Sequence, residues 1–144
     1  MEIALVEARA AAARGEVPVG AVVLGPHGAV LSRAGNEMEA RADVSAHAEM
    51  LALRQAAAAL GAPRLIDCEL VVTLEPCPMC AHAASLFRIH RLVFGAYDPK
   101  GGGVEHGARV FDAASCHHRP KVVGGVRESE AASLLRAFFA GLRP

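Results

Sequence analysis

The chain has no tryptophan, one tyrosine and five phenylalanines, so aromatic residues make up only 4% of its 144 positions. A core with so few large rings must be mostly aliphatic, and the abundant alanine fits that. Charge of one sign is lacking too, because 15 Lys and Arg are matched by 15 Asp and Glu. The balance announces neither a strongly basic nucleic-acid binder nor a membrane-surface partner, and it confines any RNA footprint to a local patch. No apolar run approaches the roughly 20 residues of a membrane span. The opening stretch from Ile3 to Ala13 is interrupted by Glu7 and Arg9, and it lacks the basic start and unbroken apolar run of a signal peptide. The expected location is the cytoplasm, where paired disulfides are uncommon and closely spaced cysteines more often bind metal or do redox work. The length suits one domain, residues 1–144, large enough to bury a core without disulfides.

The chain alternates helical and extended patterns. Met1 to Arg14 carries apolar residues on a helical repeat and stops at Gly15. Val19 to Leu24 and Ala29 to Ala34 read as the strands of an antiparallel hairpin around the turn Gly25-Pro26-His27-Gly28. Asn36 to Ser45 is a polar connection ending in a candidate N-cap serine, and Ala46 to Leu60 is a second helix. Glu69 to Leu74 is a strand, Met79 to Phe87 a third helix and Arg91 to Phe94 a short strand. Asp98 to Pro120 is Gly-rich and irregular; Lys121 to Val123 can add a last strand and Glu128 to Leu142 a final amphipathic helix. This order implies an α/β protein in three layers, α/β/α, around a mixed five-stranded sheet.

Two stretches carry chemistry: Ala46-His47-Ala48-Glu49 opening the second helix, and Pro76-Cys77-Pro78-Met79-Cys80 opening the third. Cys77 and Cys80 are spaced to share one face of a first helical turn, where free amides and the positive end of the helix dipole favour thiolate, the form that binds zinc. His47 makes a third ligand and leaves a fourth tetrahedral position open, as in a catalytic zinc site. Glu49 projects from the same turn as His47 and can serve as the proton shuttle for a zinc-activated water without ligating the metal. A lone Cys-x-x-Cys or His-x-Glu says little; the combination is specific.

His-Ala-Glu followed by Pro-Cys-x-x-Cys resembles the signature of the cytidine deaminase superfamily. Within it the chain looks most like the TadA-type tRNA-specific adenosine deaminases. The similarity runs from Glu16-Val17-Pro18-Val19-Gly20 through Glu49-Met50-Leu51-Ala52-Leu53-Arg54-Gln55 and Thr73-Leu74-Glu75-Pro76-Cys77 to Leu134-Leu135-Arg136-Ala137-Phe138-Phe139. The resemblance implies conversion of a tRNA wobble adenosine to inosine, with zinc hydroxide attacking C6 of a flipped-out base and ammonia leaving. It implies one zinc per subunit, held by His47, Cys77 and Cys80, with Glu49 catalytic. It places Asn36, Val19 and Ala48 around the base and Asp98 near a neighbouring ribose hydroxyl, a contact that separates RNA from DNA. It further implies a homodimer that binds the anticodon stem-loop. The loop Gly101 to Gly107, the run Cys116-His117-His118-Arg119 and His82 depart from the family's best-known members. Phosphate contacts then fall to Lys100, Arg109, Arg119, Lys121, Arg136 and Arg143.

Plainer readings stand beside these. A structural zinc would be closed by Cys68 or Cys116, although Cys68 reads better as a small core residue. Cys116, His117 and His118 fit either a second metal site or surface histidines in a loop. Asn36 and Asp98 are common turn residues. Gly101 to Gly103 lacks the spacing of a phosphate cradle. Phe138 and Phe139 cannot both face the core from one helix, which leaves one to stack on a base or a partner subunit, with pure packing as the plain alternative. Two rival functions use the same motif: deamination of a free base such as guanine or cytosine, and a zinc-stabilised module without activity, against which Glu49 argues.

Overall fold

In the computed structural model, which describes residues 1–143, five strands and the four expected helices follow one another in the expected order, with one further helical turn among them. They are α1 (Glu2–Ala13), β1 (Gly20–Leu24), β2 (Val30–Gly35), α2 (Met38–Arg41), α3 (Ala48–Leu60), β3 (Glu69–Leu74), α4 (Pro78–Leu86), β4 (Arg91–Ala96), β5 (Lys121–Val123) and α5 (Glu128–Leu142). The strands form one sheet in the order β2-β1-β3-β4-β5. β1 pairs antiparallel with both β2 and β3, whereas β3, β4 and β5 run parallel, so the sheet is mixed and five-stranded.

Both faces of the sheet are covered, and the period-two alternation of its strands assigns side chains to each. Val22, Val71 and Val93 lie side by side across β1, β3 and β4 and pack with Ala4 of α1. Leu5 of α1, Ala96 and Ala131 of α5 extend that layer. On the other face Ala21, Val23, Leu70, Val72, Leu92 and Phe94 meet Ala52 and Leu53 of α3 and Ala84 of α4. Apart from Phe94, Phe111, Cys68 and Cys116 the buried residues of this larger cluster are aliphatic, in keeping with the shortage of aromatics.

Beyond one-residue shifts at element ends, three features differ from the sequence expectation, each for a local reason. α3 begins at Ala48 rather than Ala46, and its N-cap is His47, which holds an extended backbone. Ser45 does not cap it; its hydroxyl donates to Asp43 Oδ1 at 2.7 Å and closes a turn within the connection. Inside the polar connection a single helical turn, α2, forms because the Glu16 carboxylate receives the Glu39 and Ala40 amides at 2.8 and 3.0 Å. β4 continues to Ala96, two residues beyond the expected end, as Leu74 pairs with Ala96 in the parallel ladder.

Candidate active site

The starts of α3 and α4 converge at the same end of the sheet. His47 is the N-cap of α3 and Cys77 the N-cap of α4, each with extended φ/ψ, and Pro78 occupies the first turn of α4 where a missing amide hydrogen costs nothing. His47 Nδ1 lies 3.6 Å from Cys77 Sγ and 3.5 Å from Cys80 Sγ. The three ligand atoms all fall within 4.8 Å of one another. A tetrahedral zinc with ordinary Zn–N and Zn–S bonds separates nitrogen from sulfur by about 3.6 Å, so the donor set has the span and the chemistry of a zinc site.

The electrostatics agree. With only protons present, Cys80 donates its S–H to Cys77, and this hydrogen bond brings the Cys77 thiol down to about 4 while pushing Cys80 far up. The hydrogen bond to Cys77 raises His47. Two sulfurs sharing one proton beside an imidazole form an electron-rich pocket, and a divalent cation in place of that proton would leave both as thiolates. Glu49 is 4% exposed, and its carboxyl is raised chiefly by burial, the condition that lets a carboxylate take and return a proton near neutral pH.

These groups open into a cavity of about 240 Å³. His47, Glu49 and Cys77 lie in its lining, Val17, Val19 and Leu74 supply apolar wall, and Asn36, Met38, Asp98 and Gly101 complete it. Asn36 is buried at the end of β2, its amide bonded to the Val19 carbonyl at 3.0 Å. Ala48 is fully buried at the first position of α3, beside the ligand and the carboxylate. Of the site residues singled out in sequence, His47, Glu49, Cys77, Asn36, Val19 and Asp98 thus line one cavity, with Cys80 beside His47 and Ala48 between His47 and Glu49. Glu75, Met38, Val17 and Leu74 were not anticipated; a glutamate ending an apolar strand immediately before Pro76 was the signal for the first.

Residues outside the cavity resolve as well. Cys68 is a buried core residue. Cys116 is buried against Ser85 Oγ and the His118 carbonyl, at 3.4 and 3.2 Å, and His118 Nε2 donates to the Ile89 carbonyl, so these residues tie a loop to the core. Among the described residues His47, Cys77 and Cys80 are the one candidate metal cluster, which leaves the second-site reading of Cys116 without support. His82 is exposed. Phe138 and Phe139 pack edge to face with centroids 5.4 Å apart, and Phe139 is the exposed member. Two of the proposed phosphate contacts are engaged elsewhere: Arg109 pairs with Asp112 at 2.9 Å and Arg119 donates to the Phe111 carbonyl.

Comparison with known proteins agrees with this geometry. Residues 1–96 match the family model of the cytidine and deoxycytidylate deaminase zinc-binding region. A tRNA-specific adenosine deaminase from Agrobacterium fabrum is 55% identical over 139 residues, covering 96% of this chain and 91% of the relative. A solved structure from a study of A-to-I editing by tRNA:A34 deaminases at the wobble position of transfer RNA superposes with a TM-score of 0.92 at 54% identity, over 94% of this chain and 97% of the other. A guanine deaminase from Nitrosomonas europaea superposes with a TM-score of 0.83 at 27% identity, over 96% of this chain and 82% of the other. With its three-layer cytidine-deaminase-like fold and its His and Cys donors drawn together at two helix starts, the chain belongs to the zinc-binding cytidine and deoxycytidylate deaminase family, in the branch of the tRNA-specific adenosine deaminases.

Proposed function

We propose that this protein is a tRNA-specific adenosine deaminase that hydrolyses the wobble adenosine of an anticodon to inosine and ammonia, with residues 1–144 acting as one deaminase domain. The observation that carries the reading is the buried carboxylate of Glu49 at a cavity into which His47 and Cys77 also open. His47, Cys77 and Cys80 would hold the zinc ion, which supplies the Lewis acidity that makes water nucleophilic near neutral pH. Glu49 takes a proton from the attacking water and delivers it to the departing amino group, so that a C6–O bond forms as the C6–N bond breaks. The apolar walls Val17, Val19 and Leu74 exclude bulk water and suit the faces of a purine. Asn36 orients the base, Ala48 frames it at the start of α3, and Asp98 at the cavity rim meets the neighbouring nucleotide. The cavity suits one extruded base, which fits a reaction on a flipped nucleotide.

The RNA partner of this reading is the anticodon stem-loop. Lys100, Arg136 and Arg143 line a second cavity along α5 and supply positive charge close to the Asp98 segment, consistent with a local rather than global basic footprint. We also infer a homodimer. Met79 and Leu86 are exposed apolar residues of α4 at helical spacing i, i+7 with exposed His82 between them, a stripe that a second copy would cover. Among the described residues no helix is long and apolar enough to cross a membrane.

Incubating the zinc-loaded protein with an anticodon stem-loop carrying a wobble adenosine tests the reading: inosine should form, and an unchanged adenosine would refute it. Deamination of a free base is the second reading, favoured by the likeness to the guanine deaminase fold. Rapid ammonia release from guanine or cytosine would favour it over RNA.

A further inference from the structure

Glu75 is a wholly buried carboxylate at the end of the sheet, immediately before Pro76-Cys77, and the deamination chemistry above makes no use of it. A charge in such a place is costly unless its lone pairs are filled. Here they are filled by one loop. Oε1 accepts the Asp98 amide at 3.0 Å and faces His106 Nδ1 at 2.8 Å. Oε2 accepts the amides of Val104, Glu105 and His106 at 3.2, 2.9 and 3.0 Å. Among the described residues His106 is the one side chain within ion-pairing distance of Glu75. The donors all belong to residues 98 to 106, the segment whose Asp98 and Gly101 line the cavity.

The same segment is pressed onto the metal turn. The Gly103 amide donates to the Pro76 carbonyl at 2.8 Å. A Cβ on Gly103 would sit 2.5 Å from Pro78 N, and one on Gly102 would sit 2.5 Å from Glu75 Oε2, so the backbone approaches as only glycine allows. His106 is further steadied by an edge contact with Tyr97, centroids 5.9 Å apart. Glu75 therefore joins two parts that must keep register for catalysis on RNA: the turn carrying Cys77, and the rim carrying Asp98.

We propose that Glu75 and His106 are a positioning pair that fixes the 98–106 rim loop against the metal turn, so that the nucleotide beside the reacting base is held at a set distance from the site. The inference rests on the tRNA deaminase reading for its functional half. Its structural half, the clamp, stands on the hydrogen bonds alone.

The test uses the full-length, zinc-loaded protein and the variants Glu75→Gln, His106→Ala and His106→Asn. In Glu75→Gln, which keeps one acceptor oxygen where the carboxylate had two, hydrogen exchange among the Asp98, Val104, Glu105 and His106 amides should speed up by about tenfold or more for those left facing the new NH2 group, while zinc content stays at the wild-type value. In His106→Ala the KM for the stem-loop should rise about tenfold with kcat changed by less than about twofold, and Asn, which can place an N–H where Nδ1 stood, should restore KM. Unchanged exchange in Glu75→Gln would overturn the clamp. A wild-type KM in His106→Ala, or a rise that Asn fails to reverse, would overturn the role of the pair. If the wild type makes no inosine, the RNA reading fails, and the exchange measurement still decides the clamp. Should Glu75→Gln fail to fold, the same exchange measurement on His106→Ala decides, because His106 is partly exposed and its loss leaves the core intact.

Discussion

His47 Nδ1 stands 3.6 Å from Cys77 Sγ although the two residues are 30 positions apart in the chain. Helix α3 lies against the hairpin β1–β2, whereas α4 follows β3 in the centre of the sheet, so the contact exists only because β3 pairs with β1. Metal affinity and folding are thereby linked: the ligands meet only in the native sheet, and an ion that grips them stabilises that sheet. Replacing Cys80 by Ala should lower zinc affinity by at least about 100-fold, beyond what loss of an outer partner costs, and should lower Tm in zinc but far less in chelator. Zinc titration and thermal melts in both conditions check this.

In the proposed mechanism Glu49 differs from the ligands in having a role only in proton movement. Glu49→Gln keeps the volume and loses the base, so it should retain zinc and Tm while activity falls by about 10²–10⁴-fold. Metal analysis together with single-turnover inosine formation distinguishes this from unfolding. Full activity would remove Glu49 from the mechanism.

Much of this was legible in the sequence, and the pattern of success is physical. That His47, Cys77 and Cys80 come together as possible ligands, with Glu49 in the same cavity, was readable because metal ligation restricts residue type and spacing together. Strands such as Glu69–Leu74 were readable because buried strands repeat β-branched residues between turn signals. The start of α3 was misread because Ser45, a good N-cap in isolation, bonds Asp43 instead, and His47 takes the cap position with no side-chain bond. The α2 turn was hidden because its cap comes from Glu16, more than 20 residues upstream, and no local pattern reports that. Glu75 was overlooked for the same reason: its partners arrive from the irregular loop, whose course only the fold determines.

Glu75 also gives the protein an acid limit. Burial pushes its carboxyl up, but the amides of Asp98, Glu105 and His106 and the His106 ring outweigh burial, and the group lies below its ordinary value. A depressed carboxylate contributes stability above the ordinary glutamate range and loses it as pH falls through the folded value. Urea midpoints should therefore drop on the acid side of that range, and Glu75→Gln should flatten that part of the profile. An identical acid slope in the variant would contradict this.

Phe94 tests the packing of the core. It is fully buried, lies edge to face with Tyr97 at 5.1 Å and anchors β4 in a core poor in aromatics. Phe94→Ala should cost about 3–5 kcal/mol in denaturant unfolding, a cavity cost with little relief available from small neighbours. A loss under about 1 kcal/mol would indicate that the core repacks.

The proposed centre is a zinc held by one nitrogen and two sulfurs with its last position free for water. X-ray absorption at the zinc edge on the loaded protein measures that directly. The expected result is two sulfurs at about 2.3 Å and two lighter atoms at about 2.0–2.1 Å, one of them an exchangeable oxygen. A third sulfur or a second histidine in the shell would close the site and contradict the account.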